Sequence, residues 1–306
     1  MISILIPVYN RDVQQLASTL SSQLQAIDTP GEIILLDDGS ANEYRQANAS
    51  TAGLPHIKYL ESEKNLGRIL VRQQLAEKAA YDWMLFIDCD STIISSQYLQ
   101  QYFNVISLGN YFPGQPGVIV GGRIYQQQPP GDCALRLHWE YGRKREAIDL
   151  KKRNDDPWRG FMSNNFLVHK TVFSQFSFIN DWEGYGHEDS WIGIQLENKK
   201  VRVKYIDNPV LHDGLETADV FLRKSEEALK NLRKLQQLVD DTQLKSHIKL
   251  FRVYARLKQS GLLWLASAVY NWQKGKIEKN LKSCSPSLFY FDLYRLHHFI
   301  RLMRST

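Results

Sequence analysis

Cysteine is scarce in this chain. The three present in 306 residues, Cys89, Cys133 and Cys284, are odd in number, far apart and without C-x-x-C spacing. This argues against a disulfide framework or a structural zinc site, and a reducing cytosol is the expected setting. Long apolar runs are also missing. Crossing a bilayer takes about 18–20 consecutive apolar residues, and the best run, 261–272, is too short. Met1 leads straight into Ile2-Ser3-Ile4-Leu5-Ile6 with no basic leader or small-residue cleavage site, so the protein is expected to be neither secreted nor membrane-spanning. No nucleic-acid-binding motif accompanies the basic residues, and nucleic acid is not an expected partner.

What is present suits a large α/β domain with an appendage. The hydrophobic content is 43%, enough for a substantial core. Charge is unevenly spread. Residues 244–306 hold 12 Lys+Arg against 2 Asp+Glu, a net of +10, which leaves −5 for residues 1–243 of a total of +5. This tail also carries Leu250, Tyr254 and Leu257, then Leu288, Phe291, Tyr294 and His298, at helical spacing. Two readings follow: helices packed on the main domain with solvated lysines, or a surface for anionic lipid headgroups that uses Trp264, Trp272, Phe289, Tyr290 and Phe291.

Strand and helix patterns alternate. Strands are expected at residues 2–9, 32–36, 57–60, 83–87, 117–124 and 201–206, and helices at 13–27 and 66–80, with another from Glu188 onward. This order predicts a doubly wound, mostly parallel sheet flanked by helices, followed by a C-terminal helical extension. Ligands bind such sheets beyond the carboxyl ends of the strands. Tyr9-Asn10, Asp37-Asp38-Gly39-Ser40 and Asp88-Cys89-Asp90 all fall at strand ends, so they are expected at one edge. Read as strand residues, Asp88 and Asp90 share a face, and two carboxylates that close call for a cation. Taken alone, Asp37-Asp38-Gly39-Ser40 reads as an Asx turn or helix cap.

These residues carry a family resemblance. Residues 2–10, residues 32–40, Asn65-Leu66-Gly67 with Arg72, and Asp88-Cys89-Asp90 resemble, in order, the signature of family 2 glycosyltransferases of the GT-A fold. Asn164-Asn165-Phe166, Val172-Phe173 and Gly184-Tyr185-Gly186-His187-Glu188-Asp189 are similar to acceptor-side elements of such enzymes, including bacterial chondroitin-type polymerases and galactosyltransferases. Tyr185 and His187 stand where tryptophan and glycine are common, a departure that bears on acceptor preference. The resemblance covers roughly residues 1–215, with a nucleotide-sugar half to about 125 and an acceptor half from about 126. The basic extension, 216–306, lies outside it.

The resemblance implies an inverting transfer of a sugar from a UDP-sugar to a glycan or lipid-linked glycan acceptor, in surface polysaccharide synthesis. It implies a cytoplasmic enzyme, peripheral at the inner membrane. Hard carboxylate oxygens suit Mn²⁺ or Mg²⁺. Asp90 is the implied metal ligand, joined by His212 after the strand at 201–206. Asp88 would bind the ribose or reach the metal through water. Asp38 would accept from the uracil N–H, Tyr9 would flank the base beside Pro7, and Arg72 would approach the nucleotide. Asp189 is the implied general base, with Glu188 orienting the pair or binding acceptor; two acids opening a helix also stabilise its N-terminus. Donor choice would rest on Asn164, Asn165 and the loop 109–117. Two alternatives stay open: a haloacid-dehalogenase-type phosphatase with Asp88 as nucleophile in Asp88-Cys89-Asp90-Ser91-Thr92, and a non-catalytic nucleotide-sugar or glycan binder.

Overall fold

The computed structural model describes residues 1–108, 116–179, 182 and 184–304. Most of the loop 109–117, residues 109–115, lies outside the described residues. The strands are β1 (Ile2–Val8), β2 (Gly31–Asp37), β3 (Ile57–Glu61), β4 (Trp83–Ile87), β5 (Ser91–Thr92), β6 (Val118–Val120), β7 (Arg123–Ile124), β8 (Asn165–His169), β9 (Val203–Tyr205) and β10 (Val210–His212). The helices are α1 (Gln14–Gln25), α2 (Asn42–Ala49), α3 (Arg68–Lys78), α4 (Tyr98–Leu108), α5 (Arg136–Tyr141), α6 (Leu150–Asp155), α7 (Lys170–Phe173), α8 (Glu188–Asn198), α9 (Ala218–Leu238), α10 (Asp241–His247), α11 (Lys249–Gln259), α12 (Leu263–Leu281) and α13 (Leu288–Arg304).

Two compact units divide the chain, and both are discontinuous: Met1–Ile124, Asp149–Asn180 and Gln195–Gly214 form the first; Tyr125–Ile148, Asp181–Ile194 and Leu215–Thr306 form the second. The division differs from an uninterrupted unit over 1–215, because two stretches inside that range join the C-terminal helices.

In the first unit, seven strands run in the order β3-β2-β1-β4-β8-β6-β9. The pairs β3/β2, β2/β1, β1/β4 and β6/β9 are parallel, while β8 is antiparallel to both neighbours. Strands β1 and β2 are apolar almost without interruption because both faces are covered, as expected for parallel strands in an α/β layer. Ile4, Ile6, Ile33, Leu35, Leu85 and Leu167 build one core with Leu16, Leu20 and Leu24 of α1. The single strand expected at 117–124 is broken at Gly121-Gly122. Gly122 has φ +89°, a left-handed turn that ends β6 and sends β7 into a separate sheet. That second sheet has the order β5-β10-β7.

The second unit gathers α5, α9, α12 and α13 around Leu137, Phe221, Leu222, Tyr270, Ile277, Leu281, Phe291 and Tyr294. Helix α9 places Ala218, Phe221, Leu222, Ser225, Ala228, Leu229, Leu232 and Leu235 inward, a 3.6-residue repeat read directly from its sequence. Phe291, expected among lipid-facing aromatics, is 1% exposed and belongs to this core. Cys133 and Cys284 form a disulfide with a Cα–Cα distance of 4.4 Å, which corrects the expectation of no disulfide. The two lie 151 residues apart, a pairing that spacing does not signal. Only Cys89 is a free thiol.

Candidate functional site

The site grows from the carboxyl end of β4. The strand stops at Ile87, and Asp88, Cys89 and Asp90 follow in a turn closed by the Ser91 N–H donating to the Asp88 carbonyl at 3.2 Å. Asp88 and Asp90 are therefore not successive residues on one strand face, as the alternation argument supposed. A cation nonetheless reaches both. Arg123 Nη2, brought up by β7, lies 3.4 Å from Asp88 Oδ2 and 3.9 Å from Asp90 Oδ1.

Asp88 is the more enclosed carboxylate. Arg72 Nη2 donates to its Oδ1 at 2.5 Å, and Arg68 Nη2 stands 3.3 Å from Oδ2. Arg68 and Arg72 are four residues apart on α3 and so share a helix face. Arg72, expected to approach the nucleotide, is thus engaged by Asp88 and 7% exposed as a residue.

Asp90 has different surroundings. Pairing of β10 with β5 sets His212 opposite Ser91, and His212 Nδ1 lies 3.5 Å from Asp90 Oδ1. Burial acts to raise the Asp90 pKa, but His212, Arg123 and Arg68 outweigh it and hold the carboxyl below its ordinary range. The next turn is packed against the same group: Asp213 N–H donates to the Asp90 carbonyl at 2.9 Å, and Arg11 Nη2 holds Asp213 at 3.0 Å. A Cβ on Gly214 would come within 2.8 Å of Asp90 Cβ and Oδ2, so only glycine fits there.

These residues fit a divalent cation. Asp90 Oδ1 makes no hydrogen bond, and an imidazole stands beside it. Among the described residues no group of three or more His, Cys, Asp or Glu gathers as a ready cage. One carboxylate and one imidazole, with the rest of the shell left to phosphate and water, is a donor set that Mn²⁺ and Mg²⁺ accept. Cys89, between the two acids, is no nucleophile: burial above all, and then Asp90 and Asp88, push its thiol up to about 12.

The remaining donor-side residues have distinct roles. Tyr9 is 51% exposed, a ring free to flank a base, and it follows Pro7 and Val8 of β1. Asp38 is buried, and its oxygens accept from the Leu66 and Gly67 N–H groups at 2.7 and 3.0 Å, so it fixes the Asn65-Leu66-Gly67 turn. Burial raises the Asp38 pKa, opposed by those two bonds. Asn165, expected to meet the donor, is fully buried. Its Oδ1 accepts from Tyr98 and Tyr102 at 2.7 and 2.6 Å, and its Nδ2 donates to the Gly122 and Asn208 carbonyls at 3.0 Å each. It ties β8 to the strand break that releases Arg123.

Glu188 and Asp189 belong to the second unit, where they open α8. His187 before them has φ +67°, a strained conformation for a residue with a side chain. The loop is anchored by Asn231 of α9, whose Nδ2 donates to the Gly186 carbonyl at 3.2 Å, and by Trp182 Nε1 donating to the same oxygen at 3.1 Å. The structure thus brings Arg72, Asp88, Asp90 and His212 together in the first unit, with Glu188 and Asp189 in the second. Sequence reasoning missed Arg68, Arg123 and Gly214. Arg68, one turn before Arg72, was the signal available.

The chain matches the model of Glycosyl transferase family 2 over residues 3–174. No curated protein sequence matches it. Among solved structures it is similar to the mannosyltransferase PcManGT from Pyrobaculum calidifontis in complex with GDP-Man and Mn²⁺, at 11% identity and TM-score 0.54, covering 97% of this chain and 86% of that one. It is also similar to glucosyl-3-phosphoglycerate synthase from Mycobacterium tuberculosis in complex with Mn²⁺, UDP and phosphoglyceric acid, at 13% identity and TM-score 0.50, covering 77% and 78%. The match to S. aureus TarS 1-349 has 14% identity and TM-score 0.46, and spans 74% of this chain but 64% of that one. With the family model matched over more than half its length and the sheet order described above, the chain belongs to glycosyl transferase family 2 and is a glycosyltransferase of the GT-A fold.

Proposed function

We propose that the protein is an inverting, metal-dependent glycosyltransferase that moves a sugar from a UDP-sugar to a glycan or lipid-linked glycan acceptor. The observation that carries this reading is the pairing of Asp90 with His212 beside a carboxylate, Asp88, that three arginines hold in place. The similarity to folds crystallised with Mn²⁺ and a nucleotide or nucleotide-sugar supports it.

Tyr9 would flank the base, with Pro7 and the Asp38-fixed turn shaping that edge. Asp88, held by Arg72, would present its remaining lone pairs to the ribose. Asp90 and His212 would hold Mn²⁺ or Mg²⁺, which when bound offsets the negative charge that develops on a departing diphosphate. Asp189 would take the proton from the acceptor hydroxyl as that oxygen bonds to the anomeric carbon and the bond from that carbon to the diphosphate oxygen breaks. Glu188 would orient the acceptor. One transfer of this kind inverts the anomeric centre.

The phosphatase alternative needs Asp88 as a free nucleophile. Its oxygens are instead engaged by Arg68, Arg72 and Arg123. Residues 244–306, net +10, would bring the enzyme to an anionic membrane surface on the cytoplasmic side, where polysaccharide acceptors are carried on lipid.

The test is a panel of UDP-sugars with Mn²⁺, scored by UDP release, together with Asp189→Asn. Release of UDP from at least one donor is expected, and Asp189→Asn should retain calorimetric UDP binding while losing transfer. Hydrolysis of a GDP-sugar alone would overturn the donor assignment. Loss of UDP binding in Asp189→Asn would overturn the base assignment.

A further inference from the structure

Helix α12 has two apolar faces, and only one of them is covered. Ser267, Tyr270, Ile277 and Leu281 are buried, and the last three belong to the core of the second unit. At 3.6 residues per turn these four fall within an arc of about 80°. On the opposite side, Trp264, Leu265, Ala268, Val269 and Trp272 fall within about 140°. Trp264 is 61% exposed, Leu265 43%, Val269 38% and Trp272 83%. Further along the helix that same outer arc is lysine: Lys276, Lys279 and, just past its end, Lys282, all exposed.

Single exposed apolar residues are ordinary, but two tryptophans and two aliphatics on one arc are not. An amphipathic helix seated only on its own core would have carried polar residues there. We propose that this arc is a membrane-docking surface. Trp264, Leu265, Val269 and Trp272 enter the headgroup boundary of a bilayer, and Lys276 and Lys279 lie against anionic phospholipid headgroups.

Three features select lipid as the occupant. Indole rings favour the boundary between headgroups and acyl chains. The apolar half, from Trp264 to Trp272, is about 13 Å long, too short to span and suited to lying in the plane of the surface. Among the described residues no helix is long and apolar enough to cross a membrane. The lysines complement an anionic surface, whereas a second copy of the chain in parallel register would set like charges against one another. The inference deepens the membrane part of the reading above and is independent of its donor, metal and base.

The test uses the full chain at low salt with vesicles of phosphatidylcholine alone, or with a third of the lipid as phosphatidylglycerol. Co-sedimentation with the anionic vesicles only is expected, with a blue shift of tryptophan emission. Trp264→Ser/Trp272→Ser and Lys276→Glu/Lys279→Glu should each lower partitioning at least about tenfold. Both should keep the parental melting curve and UDP-sugar hydrolysis in solution. Should the double tryptophan variant fold poorly, Trp272→Ser alone should still weaken binding.

Unchanged binding by the tryptophan variants would overturn α12 as the docking face while leaving a membrane-bound enzyme. No binding by the full chain would overturn both. A dimer in sedimentation equilibrium that Trp264→Ser/Trp272→Ser dissolves and vesicles leave intact would make the arc a contact between copies, and would overturn the proposal.

Discussion

Arg72 Nη2 lies 2.5 Å from Asp88 Oδ1, with the two side chains 8% and 11% exposed. Removing one member of so enclosed a pair leaves a buried charge without its partner, at a cost of about 3–5 kcal/mol. Asp88→Ala also deprives Arg68 and Arg123 of the same acceptor, so its urea midpoint should fall steeply. Asp90, whose side chain is 32% exposed, should behave differently. Asp90→Ala should cost less stability than Asp88→Ala while abolishing Mn²⁺-dependent UDP release. Urea titrations and turnover measured on both variants separate the two roles.

Gly214→Ala should damage the same site by crowding. The added methyl would meet Asp90 at 2.8 Å, and overpacking of this kind costs about 1–3 kcal/mol. Weaker Mn²⁺ binding by calorimetry is expected along with the stability loss. Gly131→Ala is the control, because nothing lies within 4 Å of a Cβ there.

Asn165→Ala should act on the fold. It leaves the Tyr98 and Tyr102 hydroxyls and the Gly122 and Asn208 carbonyls without their shared partner. Buried polar groups stranded in this way cost about 1–3 kcal/mol each, so a loss of about 3 kcal/mol or more is expected by chemical denaturation. The donor KM of the folded fraction should stay near that of the parent.

His297 sets an acid limit on the second unit. It is 5% exposed and stacked on Tyr270 at 4.2 Å; burial, then His298, Arg301, Lys274 and Arg304, lower its pKa to about 4. The unfolded chain therefore binds more protons than the folded one between about pH 4 and about 6.5. This contribution to stability is fully present above about pH 6.5 and is lost as pH falls toward 4. Denaturation midpoints at pH 7 and pH 5 should show the drop, and His297→Phe, which keeps the stacking, should flatten it.

The alternation of strand and helix patterns was enough to place Tyr9, Asp38 and Asp88 at one sheet edge, because each follows a long, continuously apolar strand. The rest depended on contacts too short or too distant to leave a local pattern. Strand β5 has two residues, yet its pairing with β10 is what carries His212 to Asp90. The break at Gly121-Gly122 turned one expected strand into two and delivered Arg123 to both acids. The family resemblance of Asn164-Asn165-Phe166 made Asn165 a ligand contact; here it faces Tyr98 and Tyr102. In the tail, Phe289 and Phe291 share a helix, but Phe289 is 71% exposed and Phe291 is core, a difference set by neighbours that a single periodicity does not reveal.

The interleaving of the two units also bears on how the protein is made. Phe221 stacks on Phe291 at 5.4 Å, and His138 stacks on Phe221 at 4.5 Å. Translation at about 5–20 residues per second means that Phe221 waits roughly 4–14 s for a partner some 70 residues downstream. For that interval the nascent chain carries an aromatic surface that still lacks this partner. Synonymous codon choice between these positions should therefore affect the soluble yield of this enzyme.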